Sequence, residues 1–284
     1  MKILVLGASG MIGSAMFRML SSKTDWRVWG TCRSEIAMRY FPVDIQGQLL
    51  SGFDLEKNED LVQLFVKLKP DVVINCVGLT KHHKYARIPQ LNLSLNSLLP
   101  HRIADLCNVA GARLIHVSTD CVFAGTSGNY SENDMPDAQD FYGKTKHLGE
   151  IHSDHVITLR TSTIGHEVMS SCGLLEWFLS QNGVCIGFNR AIFSGLPSTE
   201  FARVVRDVVI PMPKLHGLYH VGGEPICKYE LLKIIAKIYG KQITIDCDNE
   251  FVINRSLNAD RFNQVTGYRP ASWVDLIKAM HIYQ

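Results

Sequence analysis

Residues 1–13 read MKILVLGASGMIG, and this stretch decides the predicted fold. A short apolar strand runs directly into Gly7, Gly10 and Gly13, and residues 11–20 then follow with helical periodicity. In such a strand-to-helix turn the first glycine allows the tight turn, the second lets a pyrophosphate approach, and the third lets the helix pack on the sheet. The unpaired N–H groups at the helix N-terminus attract the phosphates. We therefore predict a dinucleotide site at Gly7, Ser9, Gly10, Met11, Ile12 and Gly13.

Apolar strand-like runs alternate with helical patterns through the first half of the chain. Further strands are predicted at about residues 26–31, 71–77, 113–118 and 155–160, a short extended piece at 52–55, and helices at about 58–68, 93–109 and 144–151. Strands that alternate with helices indicate parallel βαβ units. The sequence therefore predicts an α/β fold with a Rossmann-type, doubly wound parallel sheet.

The second half of the chain predicts a smaller α/β lobe. Helices are expected at about residues 173–181, 199–210, 229–239 and 273–280, and strands near 184–188, 217–222 and 242–247. We divide the chain into a dinucleotide-binding domain, residues 1–162, and a C-terminal substrate-binding lobe, residues 163–284. Segments of the lobe are expected to return in part to the first domain.

The composition argues against several classes of protein. With 284 residues and 46% hydrophobic content, the chain is able to bury one large core, alone or with a satellite domain. A net charge of +2 does not indicate a nucleic-acid-binding protein. The sequence has no run of eighteen apolar residues, so it predicts no membrane span. The eight cysteines form no Cys-x-x-Cys pair and no group with zinc-ligand spacing. We expect reduced thiols, no metal site and a cytoplasmic location.

The end of the second strand indicates which dinucleotide is bound. NAD-preferring enzymes place a carboxylate there, on the ribose 2′-OH, whereas this strand is followed by Arg33 and Ser34. A guanidinium and a hydroxyl suit a 2′-phosphate, although a solvated surface arginine is the simpler alternative. We expect NADPH as the cofactor, with NADH possible. Asp54 and Leu55 are expected near the adenine ring.

Tyr142 and Lys146 are the candidate catalytic pair. Four residues apart on a helix, they share one face. A neighbouring cation favours a phenolate, so Lys146 is predicted to lower the pKa of Tyr142 and to make it a better proton donor to a carbonyl oxygen. Thr119, at the end of the strand over residues 113–118, is predicted to polarise that carbonyl. Ordinary strand-end capping is the alternative for Thr119.

Taken together, these segments resemble the extended short-chain dehydrogenase/reductase family, and within it the sugar-nucleotide 4-keto reductases of the dTDP-4-dehydrorhamnose reductase type. The matching pieces are the glycine turn, PDVVIN at residues 70–75, Leu95-Asn96, STDCVFAG at 118–125, YGKTKHLGE at 142–150 and LRTS at 159–162. The match covers about the first 165 residues, and beyond them it thins to GLYH at 217–220.

The resemblance implies a triad, a cofactor lining and a reaction. It makes Thr119, Tyr142 and Lys146 the triad, with Tyr142 and Lys146 also touching the cofactor. Val77, Gly78, Thr80 and Thr161 would line the cofactor, and Asn96 would be a structural or proton-relay residue. The implied reaction is NADPH-dependent reduction of the 4-keto group of a 6-deoxyhexose linked to a nucleoside diphosphate, either a dTDP-4-dehydrorhamnose-like sugar or a UDP-N-acetyl analogue.

The substrate side is expected to include Asp120, Cys121 and Arg255, with Arg255 on the diphosphate. His82 and His83 follow the fourth strand and are candidates for the sugar pocket. Cys121 departs from the family, which has an aromatic residue there, and it also argues against the related dehydratases, which carry a glutamate after the aspartate.

Two other functions remain open, and so does the oligomeric state. One is a nucleotide-sugar epimerase with tightly bound NAD. The other is a non-catalytic regulatory subunit that retains cofactor binding, as in the subunit associated with methionine adenosyltransferase. A homodimer is a further expectation, with no nucleic-acid or membrane partner.

Overall fold

The computed structural model describes residues 1–81, 85–86, 88–169 and 171–283. In the first half these form, in chain order, β1 Lys2–Leu6, α1 Met11–Ser21, β2 Arg27–Thr31, a 3-10 helix Glu35–Tyr40, α2 Val43–Gln46, β3 Leu49–Leu50, α3 Asn58–Leu68, β4 Val72–Asn75, α4 Pro89–Asn92, a π-helical stretch Leu93–Leu98, α5 Leu99–Ala110, β5 Arg113–Thr119, a 3-10 turn Asp120–Val122, α6 Phe141–Leu148 and β6 Val156–Thr161.

The second half adds shorter elements. They are β7 Thr163–Ile164, α7 Leu174–Ser180, β8 Val184–Phe193, β9 Leu196–Pro197, α8 Ser198–Val204 with a π-helical continuation Val205–Val209, β10 Gly217–His220, β11 Ile226–Cys227, α9 Lys228–Ile238, β12 Thr244–Asn254, α10 Asp260–Thr266 and α11 Trp273–Ile282.

Within the described residues, seven strands form one parallel sheet in the order β10-β6-β5-β4-β1-β2-β3. The predicted doubly wound sheet is confirmed. The chain builds outward from β1 to β3 and then crosses back to β4, so the strand order reverses between β1 and β4. Ligands of open α/β sheets bind at the carboxyl ends of the strands at such a point. Gly7 and Cys76 follow these two strands directly.

The core lies in two layers, one on each face of the sheet. Ile3 and Val5 belong to the layer formed with α1, α8 and α11. Leu4 and Leu6 belong to the layer formed with α3 and α5. Successive strand side chains point to opposite faces, so a strand covered on both sides reads as a continuous apolar run. This explains the sequence of β1.

The C-terminal part contributes to two sheets. β10 extends the main sheet beside β6, while β11, β8 and β12 form a separate three-stranded sheet against which α9 packs. The division of the chain at residue 162 stays a prediction.

Several boundaries differ from the sequence predictions. The third strand is Leu49–Leu50, and the piece predicted at 52–55 is a turn in which the Asp54 carboxylate accepts the N–H of Glu56 at 3.1 Å. Helix α6 begins at Phe141 because Asp140 caps it, accepting the N–H of Gly143 at 2.7 Å. β8 and β12 run longer than predicted because they pair with each other along most of their length. Helix α10 was not predicted.

None of the helices among the described residues has the length and apolar character needed to cross a membrane. No group of three or more His, Cys, Asp or Glu side chains among these residues is arranged to hold a metal ion.

Candidate active site

The glycine turn has the geometry that the sequence predicts. Gly7 adopts φ +80°, which favours glycine, and its N–H donates to the Thr31 hydroxyl of β2 at 3.1 Å. A Cβ on Gly13 would lie 2.0 Å from the Gly7 carbonyl oxygen, so only glycine lets α1 pack there. Among the described residues, a Cβ on Gly10 would meet nothing closer than 3.5 Å, and no side chain caps α1. The first-turn N–H groups are therefore free to bind an anion.

The residues after β2 form an exposed turn. Arg33 is exposed, and Ser34 accepts the N–H of Ile36 at 3.2 Å, capping the 3-10 helix. The Glu35 carboxylate accepts the Ser51 hydroxyl at 3.4 Å. Ser34 therefore has a structural role that the sequence did not reveal, while Arg33 stays exposed at the carboxyl end of β2.

Asp54 and Leu55 lie in the turn after β3. The exposed Asp54 carboxylate accepts a hydrogen bond from the N–H of Glu56 and lies 3.7 Å from the Lys57 ammonium, both within the turn. Leu55 packs in the same apolar cluster as Val77. The expected adenine contact stays a prediction, and the structure adds a local structural role for Asp54.

The segment after β4 is held from two sides. Val77 donates its N–H to the Asn75 side-chain oxygen at 3.0 Å. Asn96 brackets Leu79, accepting its N–H at 2.8 Å and donating to its carbonyl oxygen at 3.1 Å. Gly78 and Thr80 are exposed between and beyond these anchors. Asn96 thus has the structural role that the resemblance offered as one of two possibilities.

Helix α6 packs unusually close to its neighbours. A Cβ on Gly143 would lie 2.1 Å from the Cys121 carbonyl oxygen, and one on Gly149 would lie 2.0 Å from that of Asn96. The absence of a side chain at these two glycines therefore allows α6 to lie this close to the Cys121 and Asn96 backbones. Tyr142 and the buried Lys146 are consequently brought to the carboxyl end of β5.

Thr119 and Tyr142 meet at this point. The Thr119 hydroxyl lies near enough to the Tyr142 phenol to oppose the rise in the pKa of that phenol. The Thr119 hydroxyl also lies 3.1 Å from the Asp120 carboxylate and accepts the N–H of Cys121 at 3.1 Å. Ser118, by contrast, donates to Glu150 at 2.7 Å on the other face of the strand. Of the two strand-end hydroxyls, that of Thr119 is therefore the one beside the tyrosine.

The electrostatics of the pair differ from the prediction. Burial raises the pKa of Tyr142, and the nearby Cys121 and Asp120 act in the same direction. Burial lowers the pKa of Lys146 to about 8, against the opposing effect of Glu150. The Lys146 ammonium donates to the Val117 carbonyl oxygen at 2.8 Å. The prediction that Lys146 lowers the pKa of Tyr142 is therefore wrong for this structure, because desolvation dominates.

The neighbouring Asp120 and Cys121 are also shifted by burial. Burial raises the pKa of Asp120, although Arg255 opposes the rise. Burial, together with the Asp120 carboxylate, raises the pKa of Cys121 to about 12. A nucleophilic cysteine acts as the thiolate, so the structure disfavours Cys121 as a nucleophile.

Arg255 reaches this site from the C-terminal part of the chain. Its Nε donates to the Phe123 carbonyl oxygen at 2.9 Å, and its Nη2 lies 3.9 Å from the Asp140 carboxylate. Its Nη1 contacts the Cys121 sulfur at 3.7 Å. The guanidinium therefore contacts Phe123, Asp140 and Cys121 beside the end of β5. The sequence did not predict these contacts within the protein.

Two lysines add to the positive charge beside Cys121. Lys81 and Arg255 both counter the rise in the pKa of Cys121. Burial and Lys81 lower the pKa of Lys228. Lys81 was missed in the sequence, although its place after Thr80 was a usable signal.

A buried ion pair between Arg160 and Glu150 supports the carboxyl end of β5. Arg160 donates two hydrogen bonds of 2.7 Å to the Glu150 carboxylate, which also accepts from Ser118 and lies 3.1 Å from the His147 Nδ1. Burial alone would raise the pKa of Glu150, but these hydrogen bonds lower it to about 2. The sequence identified Glu150 and Arg160 as matching positions without indicating that they pair.

The remaining predicted residues are Thr161, His82 and His83. Thr161 is buried at the end of β6, opposite Thr119 in the parallel register. It therefore lies at the same sheet edge as the triad. His82 and His83 lie outside the described residues.

Comparison with known proteins gives matches over most of this chain. The family model described as the RmlD substrate binding domain matches residues 1–168. Methionine adenosyltransferase 2 subunit beta of Xenopus laevis is 28% identical, with 84% of this chain and 72% of that protein covered. The dTDP-4-dehydrorhamnose reductase of Aggregatibacter actinomycetemcomitans is 23% identical, with 99% of each covered.

A solved structure has the same fold. The crystal structure of dTDP-4-dehydrorhamnose reductase from Bacillus anthracis, in complex with NADP, superposes with a TM-score of 0.80. It covers 100% of this chain and 99% of that one at 16% sequence identity. At this identity the likeness establishes the architecture.

Proposed function

This chain belongs to the RmlD substrate binding domain family, and on that premise we propose that it is an NADPH-dependent reductase. Its substrate is the 4-keto group of a 6-deoxyhexose linked to a nucleoside diphosphate. The observation that carries the proposal is that Thr119, Tyr142 and Lys146 lie together at the carboxyl end of β5, with the Lys146 ammonium bonded to that strand. The reductases among the relatives and solved structures support the substrate class.

The residues present fit a dinucleotide. Gly10 leaves space at the uncapped N-terminus of α1, where an added Cβ would meet nothing within 3.4 Å. Arg33 is exposed at the end of β2, where a 2′-phosphate would be held. Further along the same sheet edge, Val77, Gly78, Thr80 and Thr161 would line the cofactor.

The chemistry divides between the cofactor and the chain. NADPH, when bound, supplies the hydride that reduces the carbonyl carbon. The Thr119 hydroxyl hydrogen-bonds the carbonyl oxygen and polarises it, and Tyr142 then protonates that oxygen. The raised pKa of Tyr142 keeps the phenol protonated, which is the form that donates. Lys146, with a pKa of about 8, is largely cationic at neutral pH and is held beside this site by its bond to the Val117 carbonyl oxygen.

Positive charge marks the substrate side of the site. The charges of Arg255, Lys81 and Lys228 all interact with Cys121. This cluster suits an anionic substrate such as a nucleoside diphosphate. A thiol that stays protonated at position 121 provides no second acid/base group of the kind a dehydratase uses.

The direct test of the proposed function is NADPH oxidation with a panel of dTDP- and UDP-linked 4-keto sugars. We expect turnover with at least one 4-keto-6-deoxyhexose and a slower rate with NADH. If the purified enzyme carries tightly bound NAD and returns it unchanged, it is the epimerase instead.

A regulatory subunit is the second candidate, favoured by the relatives named methionine adenosyltransferase 2 subunit beta. The intact triad of Thr119, Tyr142 and Lys146 favours the reductase. Failure of every keto sugar, together with stable capture of a methionine adenosyltransferase catalytic subunit, would establish the regulatory role.

We also propose a homodimer in the cytoplasm. Leu98, ahead of α5, and Leu148, at the end of α6, are 51% and 58% exposed. His101 Nε2 lies 2.9 Å from the Leu148 carbonyl oxygen, so the start of α5 and the end of α6 are in contact. Light scattering on the purified chain tests the dimer, and a monomer at micromolar concentration would contradict it.

A further inference from the structure

His116 is a buried polar residue that the proposed mechanism does not use. It lies in β5, fully buried, opposite Asn75 of β4 in the parallel register. Its Nδ1 is 3.2 Å from the Asn75 Nδ2, and its Nε2 has no hydrogen-bond partner among the described residues. A buried polar side chain of this kind requires an explanation.

The hydrogen bonds around Asn75 fix the protonation state of His116. The Val77 N–H donates to the Asn75 side-chain oxygen at 3.0 Å, so the amide nitrogen faces the imidazole. An amide NH₂ only donates, and the His116 Nδ1 must therefore accept. The proton of a neutral imidazole is then on Nε2.

The surroundings favour the neutral ring. Burial lowers the pKa of His116 well below its usual value, and the Lys146 ammonium acts in the same direction, against the opposing effect of Glu150. A second proton would lie on Nδ1 and point at the Asn75 NH₂. The neutral ring therefore preserves the Asn75 orientation that holds Val77.

We propose that His116 is a positioning residue: as the neutral Nε2–H tautomer it orients the Asn75 amide, which holds the Val77 backbone at the cofactor site. The proposal rests on the proposed dinucleotide binding for its functional consequence. Asn96 holds Leu79 from the other side, so Gly78 lies between two side-chain amides, one of which depends on His116. The exposed backbone between the two anchors is thereby kept in one conformation.

Two replacements of His116 separate this role from simple core packing. His116→Phe fills much of the volume but removes the acceptor, whereas the side-chain oxygen of His116→Gln is able to accept from Asn75. Thr158→Val is the matched control, because Thr158 is buried in β6 opposite His116, and in the part of the chain that the structure describes its hydroxyl bonds only the Ile151 backbone.

Binding of NADPH and of 2′-AMP to each variant gives the first measurement. We expect His116→Phe to weaken NADPH about tenfold, the effect of one lost hydrogen bond. 2′-AMP, which carries only the adenosine end, is expected to bind unchanged. His116→Gln should restore NADPH to within about threefold of the wild type, and Thr158→Val should leave both ligands unaffected. Equal weakening of both ligands by His116→Phe would instead mean general damage to the fold and overturn the proposal.

NMR on the ligand-free protein gives the second measurement and does not depend on cofactor binding. We expect the His116 proton on Nε2, and faster hydrogen exchange at the Val77 amide in His116→Phe but not in Thr158→Val. A proton on Nδ1, or unchanged exchange at Val77, overturns the proposal. If the wild-type chain binds no dinucleotide while the NMR results hold, the proposed function fails and the tautomer with its anchoring of Val77 stands.

Discussion

The Lys146 ammonium donates a hydrogen bond to the Val117 carbonyl oxygen at 2.8 Å, two residues before Thr119. This bond fastens the cation of α6 to the strand that carries the other catalytic hydroxyl. Because Lys146 is 4% exposed, its charge acts in a site largely withdrawn from water. Electrostatic effects are stronger there than at the surface.

Replacing Lys146 should raise stability while removing activity. Its pKa is lowered to about 8 by burial, so the folded state binds the proton less tightly than the unfolded chain. Lys146→Met should therefore increase the free energy of unfolding at pH 7 by on the order of 1–2 kcal/mol. This difference is fully present below about pH 8 and disappears as the pH rises toward the unfolded pKa of about 10.4.

Urea denaturation across that pH range measures the Lys146 effect. Lys144→Met, at an exposed position of the same helix, is the control and should change little. A Lys146→Met protein that is less stable than the wild type at pH 7 and equally active would refute the assignment.

Alanine at Gly13 should lower the stability of the fold, whereas alanine at Gly10 should weaken cofactor binding. Gly13→Ala would place its Cβ 2.0 Å from the Gly7 carbonyl oxygen, so we expect a loss of about 1–3 kcal/mol in the free energy of unfolding. Gly10→Ala meets no protein atom within 3.4 Å and should fold normally, yet bind NADPH at least about tenfold more weakly. Thermal denaturation and calorimetric titration measure the two effects. Wild-type NADPH affinity in Gly10→Ala would argue against phosphates at this turn.

Arg33 should decide the preference for NADPH over NADH. Removing a charged hydrogen bond to a phosphate costs about 1.5–3 kcal/mol, so Arg33→Ala should weaken NADPH roughly tenfold to a hundredfold and leave NADH unchanged. Arg27→Ala, at the opposite end of β2, is the control. Equal losses for both dinucleotides would show that Arg33 does not bind the 2′-phosphate.

Glu150 should contribute stability that depends on pH. Its pKa of about 2 is lower than the usual value, so the carboxylate stabilises the fold fully above about pH 4.3, and this contribution is lost as the pH falls toward 2. Glu150→Gln leaves Arg160 buried without its partner and should cost about 3 kcal/mol near neutral pH. Glu230→Gln, in an exposed pair with Lys233, should have no measurable effect. Acid denaturation of the three proteins checks this, and superimposable curves would refute it.

Local patterns in the sequence were sufficient for the sheet and for part of the site. The glycine turn and the spacing of Tyr142 and Lys146 are short-range signals, because strand period and helical turn place these residues directly. Thr119 could be expected at the sheet edge because parallel strands end there together.

Contacts between distant residues could not be predicted in this way. The bond from Arg255 to the Phe123 carbonyl oxygen joins residues 132 positions apart, and that between Asn75 and His116 depends on the register of β4 and β5. The pKa of Tyr142 also escaped prediction, since it is set by burial, which follows from how far the two glycines let α6 approach.

The proposed reaction depends on Tyr142 as the proton donor to a substrate carbonyl. The most direct measurement is the rate of NADPH oxidation by wild type and Tyr142→Phe with the best 4-keto sugar nucleotide, alongside the Kd of NADPH for each. Loss of a general acid should lower kcat about 10²–10⁴-fold, with little change in the Kd. Undiminished turnover in Tyr142→Phe would show that another group donates the proton.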